Sequence, residues 1–419
     1  MKSGYRKMRC GLIGEHLGHS FSKIIHRQIA DYSYDLVELE RDRVGDFVKN
    51  GGYDAFNVTI PYKKTVMPYL DRISPEAERI GSVNTVVRRS DGSLDGYNTD
   101  YFGFDGMLSA LGVDVSGKKA IVLGTGGASL TVQTVLSDRG VRELVVIGRD
   151  LENNYGNIDK HYDADIIVNA TPVGMYPNNG RSLVELSEFK RCQGVLDLIY
   201  NPARTELLLE AEELNIPYIN GLYMLVAQAV KAYELFTGDA AERDIIEKIT
   251  DDIAFDTGNI VMIGMPGCGK STVGKKIADI MQRPFVDADD EFTRIYGMTP
   301  AETITAFGED IFREREHEVL VKLGRESGTV IACGGGAVTR DCNYRPLHQN
   351  GTIVYLRRDL DLLETGGRPL SQSRSVNALY ESRKDVYERF ADLTVDSTEV
   401  PQKTAELIIY RLAELRRKK

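Results

Sequence analysis

Gly264-Met265-Pro266-Gly267-Cys268-Gly269-Lys270-Ser271-Thr272 fits the spacing G-x-x-x-x-G-K-[ST]. It follows the apolar run 259–263 and opens an amphipathic segment, 270–281. A strand, a glycine loop and a helix in that order turn a nest of backbone N–H groups towards a phosphate chain. Lys270 can reach the outer phosphates of a nucleotide, and the Ser271 hydroxyl can sit on Mg²⁺. The stretch predicts a P-loop α/β domain with a parallel sheet, in which Gly264, Gly267, Cys268, Gly269, Lys270, Ser271 and Thr272 surround the nucleotide. More than half of the chain precedes it and requires a fold of its own.

A length of 419 residues exceeds what one ordinary core organises and predicts two or three domains. With 42% hydrophobic and 27% charged residues the composition is that of a soluble globular protein. The net charge of −10 gives no electrostatic reason to expect nucleic acid or an anionic membrane as partner. Cys10, Cys192, Cys268, Cys333 and Cys342 form no C-x-x-C pair, and the histidines form no H-E-x-x-H. That pattern predicts a reducing compartment with neither a disulfide framework nor a structural zinc site. No apolar run nears the roughly 18 residues of a membrane span, and residues 1–9 lead into a strand without a signal-peptide core. A cytoplasmic location is expected, with the oligomeric state left open.

Upstream, strand 8–13 is followed by a loop and a helix over 24–32. Ser20 and Ser22 stand at the mouth of that loop, where two hydroxyls could hold a carboxylate; they serve equally well as an N-cap and a turn residue. Strands 35–39 and 55–60 flank helix 42–49. The second strand runs into Asn57-Val58-Thr59-Ile60-Pro61-Tyr62-Lys63. A lysine just past a strand end sits where α/β sheets bind ligands, although an exposed lysine there is commonly a solvated charge. Strand 82–87 contains Asn84. Asp100 precedes helix 101–111, as an N-cap, as the partner of Lys63, or as both.

The next segment has a different grammar. Strand 118–123, the loop Gly124-Thr125-Gly126-Gly127-Ala128-Ser129, helix 130–139 and strand 143–147 form a dinucleotide-binding βαβ unit. Ser129 replaces the third glycine of G-x-G-x-x-G. At the end of the second strand, Gly148-Arg149-Asp150 faces the adenosine ribose: Arg149 suits a 2′-phosphate and Asp150 suits hydroxyls, so NADP is favoured and NAD stays open. Strands 165–169 and 194–198 follow, then helix 205–215. After Gly221 comes helix 222–235, where Gln228 could touch a substrate hydroxyl or simply face solvent.

These residues together resemble the shikimate dehydrogenases. His19-Ser20-Phe21-Ser22, Asn57–Lys63, Val83-Asn84-Thr85 and Gly96-Tyr97-Asn98-Thr99-Asp100 look like the substrate half of that family. Residues 124–128, 170–175, Tyr200-Asn201-Pro202 and 224–228 look like its cofactor half. The resemblance implies that Ser20 and Ser22 hold the shikimate carboxylate. Thr59, Asn84, Asp100 and Gln228 would hold ring hydroxyls, and Lys63 with Asp100 would form the catalytic pair. Gly124, Gly126, Gly127, Ala128, Arg149, Thr171, Met175 and Gly221 would line the cofactor. Lysine carries its proton at pH 7 and can supply it to the oxygen left when a hydride reaches a ketone. Three departures from the family pattern stand out: Lys23 where a proline is usual, Gly148-Arg149-Asp150 for Asn-Arg-Thr, and no second basic residue a few positions on.

Beyond the phosphate loop, strand 284–286 ends in Asp287, Asp289, Asp290 and Glu291. The spacing Asp287-x-Asp289 puts both carboxylates on one side if the strand persists, while an acidic helix start accounts for Asp290 and Glu291. Helix 300–307, a long charged helix to about residue 325, and strand 329–332 lead to Cys333-Gly334-Gly335-Gly336. Strand 352–356 precedes Gly366-Gly367-Arg368-Pro369-Leu370. A single helix is expected over 378–390, with a last one over 404–416 whose Ala405, Ile408, Ile409, Leu412 and Leu415 form an apolar stripe.

This half is similar to shikimate kinase. The resemblance implies that Arg313 and Arg383 clamp the substrate carboxylate and that Asp289 and the backbone of Gly334, Gly335 and Gly336 receive ring hydroxyls. Ser271 and Asp287 would serve Mg²⁺, Lys270 the ATP phosphates, and Arg368 would close over them. Flanking arginines predict an Asp289 pKa below the ordinary carboxylate value, leaving it to orient the attacking oxygen. The lid is short between Gly367 and Arg368, and Glu364 stands where a basic residue often lies near adenine.

The expected architecture is α/β throughout. A substrate domain spans 1–100, completed by 221–253; a Rossmann NADP domain spans 101–220; a linker covers 254–258; and a P-loop kinase domain spans 259–419. The chain is expected to reduce 3-dehydroshikimate to shikimate and then to phosphorylate shikimate. The alternative is a shikimate or quinate dehydrogenase carrying a nucleotide-sensing module. The retained Lys270, Ser271, Asp287, Asp289, Arg313 and Arg383 speak against that alternative.

Overall fold

The computed structural model describes residues 7–18, 20–363 and 376–417. The chain divides into two compact units. The first takes the chain up to Val173 with Ser182–Tyr200 and Glu210–Thr250. The second takes Gly174–Arg181, Asn201–Leu209 and everything from Asp251 onward.

The first unit holds two sheets. Strands β1 (Arg9–Gly14), β2 (Ser33–Glu38), β3 (Ala55–Val58), β4 (Arg72–Ile73), β5 (Thr85–Arg88) and β6 (Leu94–Tyr97) lie in the order β2-β1-β3-β5-β6-β4. β1 runs parallel to β2 and β3, while β5 is antiparallel to both β3 and β6. The second sheet contains β7 (Lys119–Leu123), β8 (Glu143–Ile147), β9 (Ile166–Asn169), β10 (Gly194–Asp197) and β11 (Tyr218–Asn220). It is wholly parallel, in the order β11-β10-β9-β7-β8. Its inner strands β7, β9 and β10 are buried along their whole length, as apolar runs covered by helices on both faces must be.

Helices Thr99–Leu111 and Leu222–Thr237 pack on each other. Their contact needs Gly103, where a Cβ would stand 2.7 Å from the Met224 carbonyl and 3.1 Å from Gln228 Cβ. One further core lies against β1 and β2, where His26 is buried between the rings of Tyr34 (3.9 Å) and Phe236 (6.0 Å). Its Nδ1 meets the Tyr32 hydroxyl at 2.5 Å. Burial lowers the His26 pKa to about 3. The folded protein therefore keeps this ring neutral, whereas the unfolded chain takes up a proton below about pH 6.5. The contribution is complete above that pH and drains away as pH falls towards the folded value. Between pH 7.5 and 5.0, wild type should lose about 2 kcal/mol more stability than His26→Phe. Urea titrations followed by circular dichroism check this in a chain without tryptophan.

The second unit carries one parallel sheet: β12 (Asn259–Ile263), β13 (Phe285–Asp287), β14 (Val330–Ala332), β15 (Gly351–Arg357) and β16 (Leu393–Asp396), in the order β13-β14-β12-β15-β16. The expected stripe on the last helix, Pro401–Arg417, is real: Ala405, Ile408 and Leu412 are buried, with Ile409 and Leu415 packed beside them.

Three expectations change. Residues 254–257 are not part of a linker but the last turn of helix Ile245–Thr257, which leaves only Gly258 before β12. Asp289 does not share a strand face with Asp287, because β13 ends at Asp287 and Asp289 lies in the first turn of helix Ala288–Tyr296. The helix expected over 378–390 is broken into Val376–Glu381 and Lys384–Phe390, with Arg383 at the break (φ −125°). Arg383 is buried, and its guanidinium bonds the Gly335 carbonyl at 3.1 Å. A continuous helix would have carried it elsewhere.

Candidate active sites

In both parallel sheets the strand order reverses beside a glycine loop. β7 lies between β8 and β9, and β12 lies between β14 and β15. Loops leaving two neighbouring strands in opposite directions open a crevice at the carboxyl ends, which is where α/β sheets take ligands.

In the first unit, Lys63 leaves the loop after β3 and Asp100 lies in the first turn of helix Thr99–Leu111. Their side chains meet at 2.6 Å, Nζ to Oδ2, with 29% and 17% of their surfaces exposed. Asp100 is not the N-cap. That place belongs to Asn98, whose amide bonds the Ser82 carbonyl, so the aspartate is left for the lysine. Tyr62 anchors the turn, fully buried with its hydroxyl on the Leu39 carbonyl. Asn84 is buried and accepts from the Thr99 N–H at 2.7 Å, and Thr99 Oγ1 reaches Gln228 Oε1 at 3.4 Å. The structure thus gathers Asn84, Thr99 and Gln228. Ser20 Oγ accepts from the Ser22 N–H at 3.2 Å at the start of helix Ser22–Ile29, which leaves its own proton to donate. Thr59 follows β3, half-buried beside Gly14.

The dinucleotide loop leaves β7. Gly124 (φ 108°) presses on the next crossover loop, where a Cβ would meet Thr171 Cγ2 at 2.7 Å. Gly126 and Gly127 instead have open space around their Cβ positions at the start of helix Gly127–Asp138. Backbone N–H groups of Gly126, Gly127 and Ala128 there suit a pyrophosphate. Ser129, at the third-glycine position, is fully buried, which explains why the side chain must be small. Thr171 directs both its N–H and its hydroxyl to Asn169 Oδ1. Gly221 has a packing reason of its own, since a Cβ would overlap the Leu198 carbonyl. Arg149 is exposed after β8. Asn153 follows a few positions on, in place of a second cation, and its amide oxygen bonds His161 Nε2 at 3.1 Å. Met175 is 44% exposed and falls in the segment grouped with the second unit.

In the second unit, Gly264, Gly267 and Gly269 take positive φ around the loop after β12. Lys270 is buried and donates to the carbonyls of Gly264 (2.9 Å) and Met265 (3.0 Å), with the weak acceptor Cys268 Sγ, 4.0 Å away, facing its third proton. Ser271 Oγ meets Asp287 Oδ2 at 2.5 Å, while Asp287 Oδ1 caps helix Ala288–Tyr296 through the Asp289 N–H. A cleft of about 500 Å³ collects Lys270, Ser271, Asp289, Arg313, Glu316 and Arg383. The three glycines after β14 each make room for something different. A Cβ on Gly334 would meet Glu316 Oε1 and Asp289 Oδ1, one on Gly335 would meet Pro266, and one on Gly336 would overlap the Arg313 guanidinium. Arg368 and Glu364, with the rest of the expected lid, lie outside the described residues.

The electrostatics of this cleft overturn one expectation. The Asp289 pKa is raised to about 6, not lowered: crowding by the walls comes first, then the charges of Asp287 and Glu316. Because Asp289 is also open to cleft water, the repulsion between carboxylates is the firmer cause. The arginines do not relieve it, since they are already engaged. Arg313 pairs with Glu316 (2.6 Å) and Glu309 (3.2 Å), and Arg383 holds a backbone carbonyl. Glu316 is a site residue that sequence reasoning does not single out. It is 4% exposed, burial raises its pKa, and Oε1 is buried without a hydrogen-bond partner among the described residues. The spacing Arg313-x-x-Glu316 on a helix face is the one signal of it in the sequence. Glu291, by contrast, is structural: Arg294 and Lys322 hold its pKa down at about 2.

A dinucleotide loop and a lysine–aspartate pair in one unit, followed by a phosphate loop beside a carboxylate–arginine cleft, define an α/β oxidoreductase joined to an α/β kinase. Family models agree. Residues 12–86 match the shikimate dehydrogenase substrate binding domain, 221–249 the shikimate 5'-dehydrogenase C-terminal domain, and 266–413 shikimate kinase. The shikimate dehydrogenase (NADP(+)) of Clostridium perfringens is 37% identical over 264 residues, covering 58% of this chain and 97% of the relative. A chorismate mutase/shikimate 5-dehydrogenase fusion from Clostridium acetobutylicum is 35% identical with a TM-score of 0.57, covering 59% of this chain and 98% of that one. Shikimate dehydrogenase 1 from Peptoclostridium difficile is 41% identical with a TM-score of 0.52, covering 59% and 97%. The chain belongs to the shikimate dehydrogenase family and continues into a shikimate kinase domain. No helix among the described residues is long and apolar enough to cross a membrane.

Proposed function

We propose that this chain reduces 3-dehydroshikimate to shikimate with NADPH and then phosphorylates the shikimate 3-hydroxyl with ATP. The substrate lobe is residues 1–100 with 221–253, the cofactor lobe 101–220, and the kinase the residues from 259. The observation that carries the double reading is the second cleft, where Lys270, Asp289, Arg313 and Arg383 meet. A module that merely sensed nucleotide would have no use for two buried arginines and a carboxylate beside its phosphate loop.

In the first reaction bound NADPH supplies the hydride. Lys63 Nζ gives a proton to the carbonyl oxygen, and Asp100, 2.6 Å away, holds the ammonium in place. Ser20 and Ser22 hold the carboxylate; Thr59, Asn84 and Gln228 hold ring oxygens. The N–H groups of Gly126, Gly127 and Ala128 take the pyrophosphate, beside Gly124 and Thr171, and Arg149 takes the 2′-phosphate. Arg149→Ala should raise the KM for NADP⁺ about thirtyfold, the worth of a charge-assisted hydrogen bond, and leave that for NAD⁺ nearly unchanged. Parallel initial-rate assays with the two cofactors read the difference.

In the second reaction the ring oxygen attacks the γ-phosphorus, the bond to the β–γ bridging oxygen breaks, and Asp289 receives the hydroxyl proton. Glu316, buried against Gly334 beside Asp289, adds a repulsion that favours the protonated form, and this suits Asp289 to the task. Arg313 and Arg383 hold the carboxylate and Lys270 the phosphates. Ser271 and Asp287 would hold Mg²⁺, which offsets phosphate charge; one hydroxyl and one carboxylate suit an ion that keeps waters and phosphate oxygens as its other ligands. The full chain supplied with 3-dehydroshikimate, NADPH and Mg-ATP should yield shikimate 3-phosphate by phosphorus NMR. Accumulation of shikimate alone would leave the second unit a non-catalytic module.

A further inference from the structure

Behind Asn84 runs a buried line of polar side chains whose direction can be worked out atom by atom. Tyr34, Asn57, Thr85, Asn84 and Thr99 are all at most 5% exposed. Asn57 Nδ2 lies 3.4 Å from the Asn84 carbonyl oxygen, an atom that only accepts. Its other amide atom, Oδ1, therefore faces Tyr34, and the phenol must donate to it, at 2.7 Å. Thr85 Oγ1 receives the second Asn57 N–H at 3.0 Å and shares its hydroxyl proton within a triangle, 3.0 Å from Asn84 Oδ1 and 3.1 Å from Thr99 Oγ1, which in turn lies 3.1 Å from the same Asn84 Oδ1. The same Oδ1 accepts the backbone N–H of Thr99 at 2.7 Å, a group that only donates. Donors thus converge on one atom of the Asn84 amide, and Nδ2 is what remains for a ligand.

We infer that Tyr34, Asn57 and Thr85 are positioning residues that lock the Asn84 carboxamide in one orientation, so that it meets the substrate only as a hydrogen-bond donor. The ligand group opposite must then offer a lone pair, as a hydroxyl or carbonyl oxygen does and an ammonium does not. This rests on the proposed placement of Asn84 against a ring oxygen. The line is polarised at both amides by backbone groups, so neither amide can turn over to repair a break. A missing hydroxyl in the middle costs the ligand contact its alignment and leaves one of the two Asn57 side-chain N–H groups without its acceptor.

The test uses the full chain with shikimate and NADP⁺. Thr85→Val should raise the KM for shikimate about fivefold, the effect of one buried hydrogen bond, with the KM for NADP⁺ unchanged. Thr85→Ser, which keeps the hydroxyl, should restore it. Tyr34→Phe should shift the same constant in the same direction and serves if Thr85→Val no longer binds NADP⁺. Because the Tyr34 hydroxyl also meets the Ser22 side chain, the shift counts for the line only if it is equally large in a Ser22→Ala background that still binds shikimate. A purely structural role would lower the melting temperature and leave the KM for shikimate alone, which overturns the inference. Asn84→Ala separates the two layers. A raised KM there with unchanged values in Thr85→Val and Tyr34→Phe sinks the positioning line only. An unchanged KM in Asn84→Ala removes Asn84 from the substrate site, and the positioning role with it.

Discussion

Lys63→Ala is expected to cut dehydrogenase turnover about a thousandfold while leaving shikimate affinity largely intact. General acid catalysis contributes roughly 10²–10⁴ in rate, and the ammonium is the group that the loop after β3 and Asp100 jointly hold at 2.6 Å. Removing it takes away the proton delivered as the hydride arrives, a loss felt in the transition state more than in the bound ground state. Stability should barely change, because the pair is partly exposed and such pairs are worth at most about 1 kcal/mol. Lys63→Arg should not restore the rate, since a guanidinium keeps its charge but does not release its proton at neutral pH. Steady-state kinetics with equilibrium shikimate binding read both halves of the expectation. Kinase turnover by the same preparation supplies a reference. Near-normal turnover in the alanine variant would take Lys63 out of the mechanism.

Asp289→Asn should cost the kinase reaction about a hundredfold to a thousandfold in kcat, with the KM for ATP changed little. The amide keeps the size and the contacts of the carboxylate but cannot take the hydroxyl proton. The size of the loss discriminates between two roles. A carboxylate of lowered pKa that only orients the attacking oxygen would survive as an amide with a loss below about tenfold, the worth of one hydrogen bond. The raised pKa, set by wall crowding and by Asp287 and Glu316, places Asp289 among groups able to accept a proton. A coupled ADP-release assay on the full chain measures this, with the dehydrogenase rate as control.

Much of both sites is legible in the sequence. Strand, glycine loop and helix are consecutive in the chain, so the phosphate loop around Lys270 and the dinucleotide loop around Gly126 follow from local pattern alone. β12 and the loop helix Lys270–Met281 begin and end where the pattern places them. The pairing of Lys63 with Asp100 comes from the family resemblance, and the structure shows why it holds: Lys63 follows β3 and Asp100 follows β6, a strand the sequence pattern does not announce. Arg383 is named by the family resemblance, but its inward placement is not legible, since helical propensity predicts a continuous helix there and does not reveal that the side chain is pulled inward by the Gly335 carbonyl. Glu316 is hidden among the charges of helix Glu309–Gly324, where only burial separates it from its neighbours.

What the order of residues determined by itself is which loops bind phosphates and which side chains carry the chemistry, because those depend on neighbours a few positions apart. The tertiary structure alone decided how those side chains are charged and which way they point. Asp289 is held protonatable by its neighbour Asp287 and by Glu316 from a distant helix, Arg313 is already paired within its helix, and Asn84 is oriented by donors reaching back to Tyr34. Coulomb repulsion and hydrogen-bond direction act through space over a few ångströms, and for Glu316 on Asp289 and Tyr34 behind Asn84 that space is crossed by residues far apart in the chain.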